Sequence, residues 1–233
     1  MVLYSDVHLA GPKDPHQQAF LDHLRSAEAD RLCLLGDIFH HWWDFGGQPF
    51  DAYSDVIAAL RPWAGRLVFV PGNHDFRAAG FFREELGARV ASVVDEEWDG
   101  ARVRLSHGDE VDRSWGYAAL SAGLRGPVFA ALMRVAGPER GWRLLGRIAG
   151  AERAPVEGAE PGPLVSAQIR EGKRLIEQGL DLVISGHTHA PGVFPHRHGR
   201  YVNLGDWPWR RCWGRWESGE FYLERAGAPD PAA

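Results

Sequence analysis

Six stretches of this chain end in side chains able to coordinate metals. Asp6 and His8 stand in Ser5-Asp6-Val7-His8, Asp37 follows Gly36, Asn73 and His74 follow Gly72, and His107 precedes Gly108. His187 and His189 lie in Gly186-His187-Thr188-His189, and Asp206 follows Gly205. Residues at i and i+2 of an extended segment point the same way, so each Asp-x-His or His-x-His pair can reach one ion. Gly-Asp alone is ordinary turn chemistry. Two imidazoles at i and i+2 seldom serve packing, because buried neutral histidines need specific partners. The set carries more weight than any pair. Carboxylates, imidazoles and an amide oxygen suit Mn²⁺, Fe²⁺ or Zn²⁺ and lack the thiolates of a structural zinc site. Seven donors (Asp6, His8, Asp37, Asn73, His107, His187, His189) are too many for one tetrahedral ion. They match two ions about 3.5–4 Å apart that share a carboxylate, an arrangement that serves hydrolysis.

Each donor follows a short apolar run: Val2-Leu3-Tyr4, Leu32-Cys33-Leu34-Leu35, Leu67-Val68-Phe69-Val70, Val103-Arg104-Leu105, Leu182-Val183-Ile184-Ser185 and Tyr201-Val202-Asn203-Leu204. Such runs predict strands buried on both faces. Between them, Phe20, Leu21 and Leu24 predict a helix near 16–28. Tyr53, Val56, Ile57 and Leu60 predict another near 51–61, which Pro62 stops. The alternation predicts a layered α/β fold, β-sheets flanked by helices, with functional groups at the carboxyl ends of the strands. From about 113 to 175 apolar residues recur at helical spacing with no convincing strand. This stretch reads as a helical cap inserted into a single domain of residues 1–225. Ala154 to Pro163 reads as a mobile loop and residues 226–233 as a disordered tail.

The formal net charge of −5 over 233 residues argues against a nucleic-acid partner. Charge is unevenly spread: residues 113–153 carry seven arginines against two glutamates. That basic island suits an anionic partner, either a phosphate-bearing ligand or lipid headgroups; a solvated arginine-rich helix surface is the alternative. Ten tryptophans suit an aromatic-lined pocket. Cys33, within an apolar run, reads as a core residue in a reducing compartment. Met1-Val2-Leu3-Tyr4 enters the first strand directly, so no signal peptide is expected, and no stretch approaches the roughly 18–20 apolar residues that span a bilayer. The expectation is a cytoplasmic protein, in peripheral contact with the inner membrane face through the 113–153 segment. Among the remaining histidines, His40 and His41 follow Asp37 closely enough to contact substrate. His16 and His23 read as surface residues of one helix, and His196 and His198 as a solvated hairpin turn.

The ordered set Asp-x-His, Gly-Asp, Gly-Asn-His-Asp, His-Gly and Gly-His-Thr-His resembles the calcineurin-like metallophosphoesterase superfamily over residues 2 to about 207. The resemblance implies that Asp37 bridges two divalent metals. Asp6, His8 and His189 then complete one site, and Asn73, His107 and His187 the other. It places Asn73, His74 and His187 against substrate, with His74 facing the phosphoryl group as a catalytic residue. The likeness extends to the UDP-2,3-diacylglucosamine hydrolases of lipid A biosynthesis. It rests on Gly36-Asp37-Ile38-Phe39 with tryptophan close behind, His107-Gly108-Asp109, the helical insertion and Leu204-Gly205-Asp206-Trp207. That group implies Mn²⁺, a nucleotide-linked lipid substrate and cleavage of its pyrophosphate to UMP and 2,3-diacylglucosamine 1-phosphate. One departure is His74, where well-known members carry arginine. It keeps open a soluble phosphodiesterase or phosphatase acting on nucleotides or other small phosphoesters.

Overall fold

Side chains that alternate along three short parallel strands divide the interior in two. In the computed structural model, which describes residues 1–43, 45, 47, 49–150 and 162–227, the elements run in the following order. They are β1 (Val2–Tyr4), α1 (Pro15–Ser26), β2 (Leu32–Leu35), α2 (Ser54–Leu60), β3 (Leu67–Val70) and α3 (Ala79–Glu84). Next come β4 (Arg89–Val90), β5 (Val93–Trp98), β6 (Ala101–Ser106), α4 (Trp115–Arg125), α5 (Pro127–Ala149) and α6 (Pro163–Glu177). The chain ends through β7 (Leu182–Ser185), β8 (Gly192–His196), β9 (Gly199–Asn203), β10 (Cys212–Glu217) and β11 (Glu220–Arg225). Most of the expected loop at Ala154–Pro163, and residues 228–233 of the expected tail, lie outside the described residues.

One sheet has the order β11-β10-β1-β2-β3-β4 and the other β5-β6-β7-β9-β8. The pairs β1–β2, β2–β3, β6–β7 and β7–β9 are parallel. Leu3, Cys33, Leu35, Val68 and Val70 face the second sheet and pack with Leu105, Ile184 and Val202. Their neighbours Tyr4, Leu34 and Phe69 face outward beneath α1, α2 and α3. Val183 and Tyr201 leave the second sheet on its far side and meet Leu175 and Ile176 of α6. The result is helix, sheet, sheet, helix, as the run-and-period pattern predicts. Burying each Leu, Val or Phe contributes roughly 1.5–3 kcal/mol.

Local chemistry sets the helices. Asp14 caps α1 by accepting from His16 N at 2.9 Å, Pro15 opens the first turn, and Phe20, Leu21 and Leu24 are buried. The second predicted helix is shorter than its periodicity suggests, because residues 51–53 and 61–63 wind as 3₁₀ turns at its ends. In α5 Gly137 leaves the helical region (φ 71°, ψ 177°) and Pro138 starts a second half, so the element is two helices across a kink. The 113–175 stretch contains three helices with different packing. α5 buries Met133 and Leu145 in the first core, α4 buries no side chain, and α6 lies on β7 and β9. No described helix is long and apolar enough to cross a membrane.

Phe82 tests the outer core. It is fully buried and its ring stacks on Phe69 with centroids 3.9 Å apart. Phe82→Ala is expected to destabilise the fold by about 3–5 kcal/mol. In a chain of this length that lowers the thermal midpoint by on the order of 10 °C. A shift under about 2 °C in a calorimetric scan would contradict this packing.

Candidate metal centre

The parallel strands end at one edge, and the turns that follow lock onto each other. Asp6 N donates to Gly36 O at 3.1 Å, His8 N to Asp37 O at 2.9 Å, and Gly186 N to His107 O at 2.9 Å. Five residues in these turns are left-handed without being glycine: Asp6 (φ 52°), His8 (51°), Asp37 (54°), His187 (69°) and His189 (51°). That conformation is uncommon for residues with a Cβ and is kept where surrounding structure enforces it, typically at functional sites. All five belong to the seven donors expected from the sequence.

The donors fall into two groups. In each, one ligating atom per residue lies within 4.8 Å of the others: Asp6, His8 and His189 form one, and Asp37, His107 and His187 the other. In the first, His8 Nε2 and His189 Nε2 face each other at 3.1 Å, and His189 Nε2 is 3.2 Å from Asp6 Oδ1. In the second, His107 Nε2 lies 3.3 Å from Asp37 Oδ2 and 3.2 Å from Asn73 Oδ1, which brings Asn73 to the same point.

These residues fit a cation on chemical grounds. His107 Nδ1 donates to the Leu35 carbonyl at 2.9 Å, so in the neutral ring Nε2 is an acceptor. It nevertheless faces two oxygens that also accept, and His187 Nε2 is buried without a hydrogen-bond partner among the described residues. A cation at that point would reconcile all three, whereas a proton on His107 Nε2 would satisfy the two oxygens but not His187. The charges of the protein alone favour the proton. Burial alone would push the His107 imidazole down, yet Asp37 beside it holds it well above the ordinary histidine value. Burial likewise opposes charge on Asp37, but His107, His74 and His8 hold its carboxyl well below the usual carboxylate range. Burial pushes His8 down to about 3 and lowers His187, which favours the neutral form in which an imidazole ligates, while a cation would have to displace the proton from His107.

His74 lies at the rim of this centre. Its Nδ1 donates to the His40 carbonyl at 2.7 Å, its backbone N donates to Asp37 Oδ1 at 2.8 Å, and its Nε2 is 4.0 Å from Asp37 Oδ2. The carbonyl fixes the tautomer and leaves Nε2 directed toward the donors. His40 joins His8 and His74 within 4.8 Å and its Nε2 meets Gly150 O at 2.9 Å, while His41 is buried beside Trp142. The other histidines divide. His196 pairs with Glu177 at 2.9 Å on the surface, but His23, expected at the surface, is half-buried against Trp207 and Trp213. Burial lowers its imidazole.

Several polar residues that frame the centre had no role in the sequence reading. Asp75 accepts from Ile38 N at 2.8 Å and Gly72 N at 2.9 Å, bracing the turns that carry Asp37 and Asn73; burial and Asp37 push its carboxyl up to about 6. Gln168 on α6 donates to Gly108 O and Gly186 O and accepts from Thr188 Oγ1 at 2.6 Å, joining the turns of His107 and His187. Arg210, held by Asp206 at 2.6 Å, donates to His189 O at 3.0 Å. The Asp of Gly-Asn-His-Asp was visible as part of the motif, whereas Gln168 has no local signal.

Gly186 and Gly72 allow this closeness. A Cβ on Gly186 would overlap Ser5 Oγ and Asp6 Oδ2, and one on Gly72 would overlap Asp37 Oδ1. Gly186→Ala is therefore expected to displace Asp6 and lower activity at least about tenfold, with a fall of several degrees in the thermal midpoint. Unchanged kinetics and melting would show that the two turns do not pack this tightly.

Beside His74 and Asn73 opens a cavity of about 140 Å³ lined by Trp43, Leu120, Leu124, Phe129, Leu145 and Ile148, among others. Its walls come from the turn after β2, the turn after β3, α4 and α5.

Residues 1–191 match the protein family described as calcineurin-like phosphoesterase. A UDP-2,3-diacylglucosamine hydrolase of Pseudomonas savastanoi pv. phaseolicola is 30% identical over 226 residues, spanning 91% of this chain and 90% of its own. One from Pseudomonas fluorescens is 32% identical over 222 residues, spanning 89% and 87%. Among solved structures, an archaeal phosphodiesterase superposes with a TM-score of 0.49 at 11% identity, covering 97% of this chain and 100% of that one.

Proposed function

Because this chain belongs to the calcineurin-like phosphoesterase family, we propose that it hydrolyses the pyrophosphate of UDP-2,3-diacylglucosamine to UMP and 2,3-diacylglucosamine 1-phosphate. The chain is a metal-dependent phosphoric ester or pyrophosphate hydrolase. The finer reading rests on one observation above the others. The cavity next to His74 has mainly apolar walls and takes Asn73 and His74 into its lining, which suits a substrate with a phosphate head and an apolar body.

In this reading Asp6, His8 and His189 hold one divalent ion, Asn73, His107 and His187 hold a second, and Asp37 serves both. Mn²⁺ is the expected metal, with Fe²⁺ or Zn²⁺ as alternatives for this donor set. Bound ions would supply charge neutralisation at phosphate oxygens and a lowered pKa for the attacking water. The chain's residues do the rest. Asp75 and the Gly72 turn hold Asp37 in place, and Gln168 holds the turns of His107 and His187. With its Nδ1–H held by the His40 carbonyl, His74 presents Nε2 to the reacting phosphoryl group; carrying a second proton there, the imidazolium stabilises charge or gives that proton to the leaving oxygen. Asn73 and His187 border the same position and also contact substrate.

The cap helices support contact with a membrane surface, where such a substrate resides. Trp115, Val128 and Val135 of α4 and α5 are 91%, 83% and 85% exposed, on a segment rich in arginine. Apolar side chains among cations suit an anionic bilayer face.

Purified protein with UDP-2,3-diacylglucosamine and Mn²⁺ is expected to release UMP, read by chromatography. The intact His74 favours the second reading, a phosphodiesterase or phosphatase for small phosphoesters. Turnover of bis(p-nitrophenyl) phosphate without any UMP release from the lipid would decide for it.

A further inference from the structure

Helix α4 buries none of its own side chains, yet Leu120, Ser121 and Leu124 make it one wall of the apolar cavity. A helix so weakly packed needs other attachments to keep a defined place. Its first half has one, since Tyr117 Oη donates to Asp109 Oδ2 at 2.5 Å. We infer that Arg77 supplies the other. It is a positioning residue that fixes the end of α4 beside the metal centre and thereby sets a preference for phosphoesters with an apolar body. The inference rests on the substrate reading above.

Arg77 sits on the 3₁₀ turn Phe76–Ala78, three residues after His74. Its Nη2 donates to Leu124 O at 3.1 Å and leans toward Arg125 O at 3.5 Å. These are carbonyls of the last turn of α4, which have no partner within the helix. A cation there also meets the negative end of the helix dipole. The guanidinium lies over the Trp43 ring at 4.0 Å and near Phe76 at 5.4 Å, and Arg125 covers Phe76 at 4.2 Å. Trp43, Arg77, Phe76 and Arg125 thus form an alternating stack that runs from the buried turn after β2 to the end of α4. A planar guanidinium can stack on a ring and still donate in its own plane, which a lysine ammonium cannot do. Because Arg77 follows His74 by three residues on the segment after β3, the stack ties the cavity wall to the residue facing the phosphoryl group.

The test compares two substrates and one backbone measurement. Arg77→Ala is expected to raise KM for UDP-2,3-diacylglucosamine about tenfold, the worth of one lost charged hydrogen bond, while kcat stays within about twofold. Hydrolysis of bis(p-nitrophenyl) phosphate should be unchanged, and amides of residues 115–125 should exchange faster with solvent than in the parent. Arg77→Lys, which keeps the cation over Trp43 without the fork, should recover part of the loss. Unchanged lipid kinetics, or equal losses on both substrates, would overturn the inference. If the parent protein releases no UMP from the lipid, the substrate reading fails instead. The exchange data then decide the strut alone: faster exchange in α4 supports it and unchanged exchange removes it.

Discussion

Replacing Asp37 by asparagine is expected to strip the protein of at least one of the two metals proposed for it and lower kcat by at least about a thousandfold. Asparagine is chosen because it keeps most of what Asp37 does for the fold. It tolerates the left-handed φ of 54°, and an amide oxygen can still accept from His74 N at 2.8 Å. It lacks the negative charge and the second oxygen, Oδ2, which lies 3.3 Å from His107 Nε2. Asp37 is 2% exposed, so water replaces neither. Elemental analysis of metal per chain, read beside kcat, checks the outcome. A variant that retains two metals and kcat within about tenfold of the parent would show that Asp37 does not bridge.

His74→Ala should behave differently. Loss of a positioned acid or charge-stabilising group is expected to lower kcat by about 10²–10⁴-fold. Metal content should hardly change, because the seven donors are intact and the hydrogen bond that His74 gives Asp37 comes from its backbone N, which alanine keeps. If the variant lost its metals, His74 would be a ligand, and its placement near His8 and His40 would take on that meaning. His74→Arg separates its two roles. A guanidinium stabilises phosphate charge but holds its proton far above neutral pH. Retained activity on good leaving groups, with loss on poor ones, would identify His74 as the proton donor.

Together the two variants locate the chemistry. The first removes charge from the centre of the donor set, and the second leaves that set alone and removes the group proposed to face the substrate. Metal content responds to one and not the other, which a general loss of folding would not produce.

Much of this was legible in the amino-acid order. A strand buried on both faces must be apolar along its length, so polar donors appear only where it ends, and that contrast marks Asp6, Asp37, Asn73, His107 and His187 within a few residues. Helix periods in 16–28 and near 51–61 are local in the same sense. The family likeness followed from the ordered motifs and supplied the division of donors into two groups, which spacing alone does not contain.

Tertiary structure decided what depends on contacts between distant residues. Gln168 joins turns 18 and 60 residues away, and Arg210 reaches His189 across 21. No local pattern announces them, because a buried amide or guanidinium is paired by whatever the fold brings beside it. Packing also separated three helices that look alike in sequence: α6 rests on the second sheet, α5 enters the first core, and α4 walls the cavity without burying a side chain. Apolar spacing tells that a segment is helical and which face it prefers. Which surface receives that face is settled only when the sheets have twisted and the strand ends have met, and the site exists only from that point.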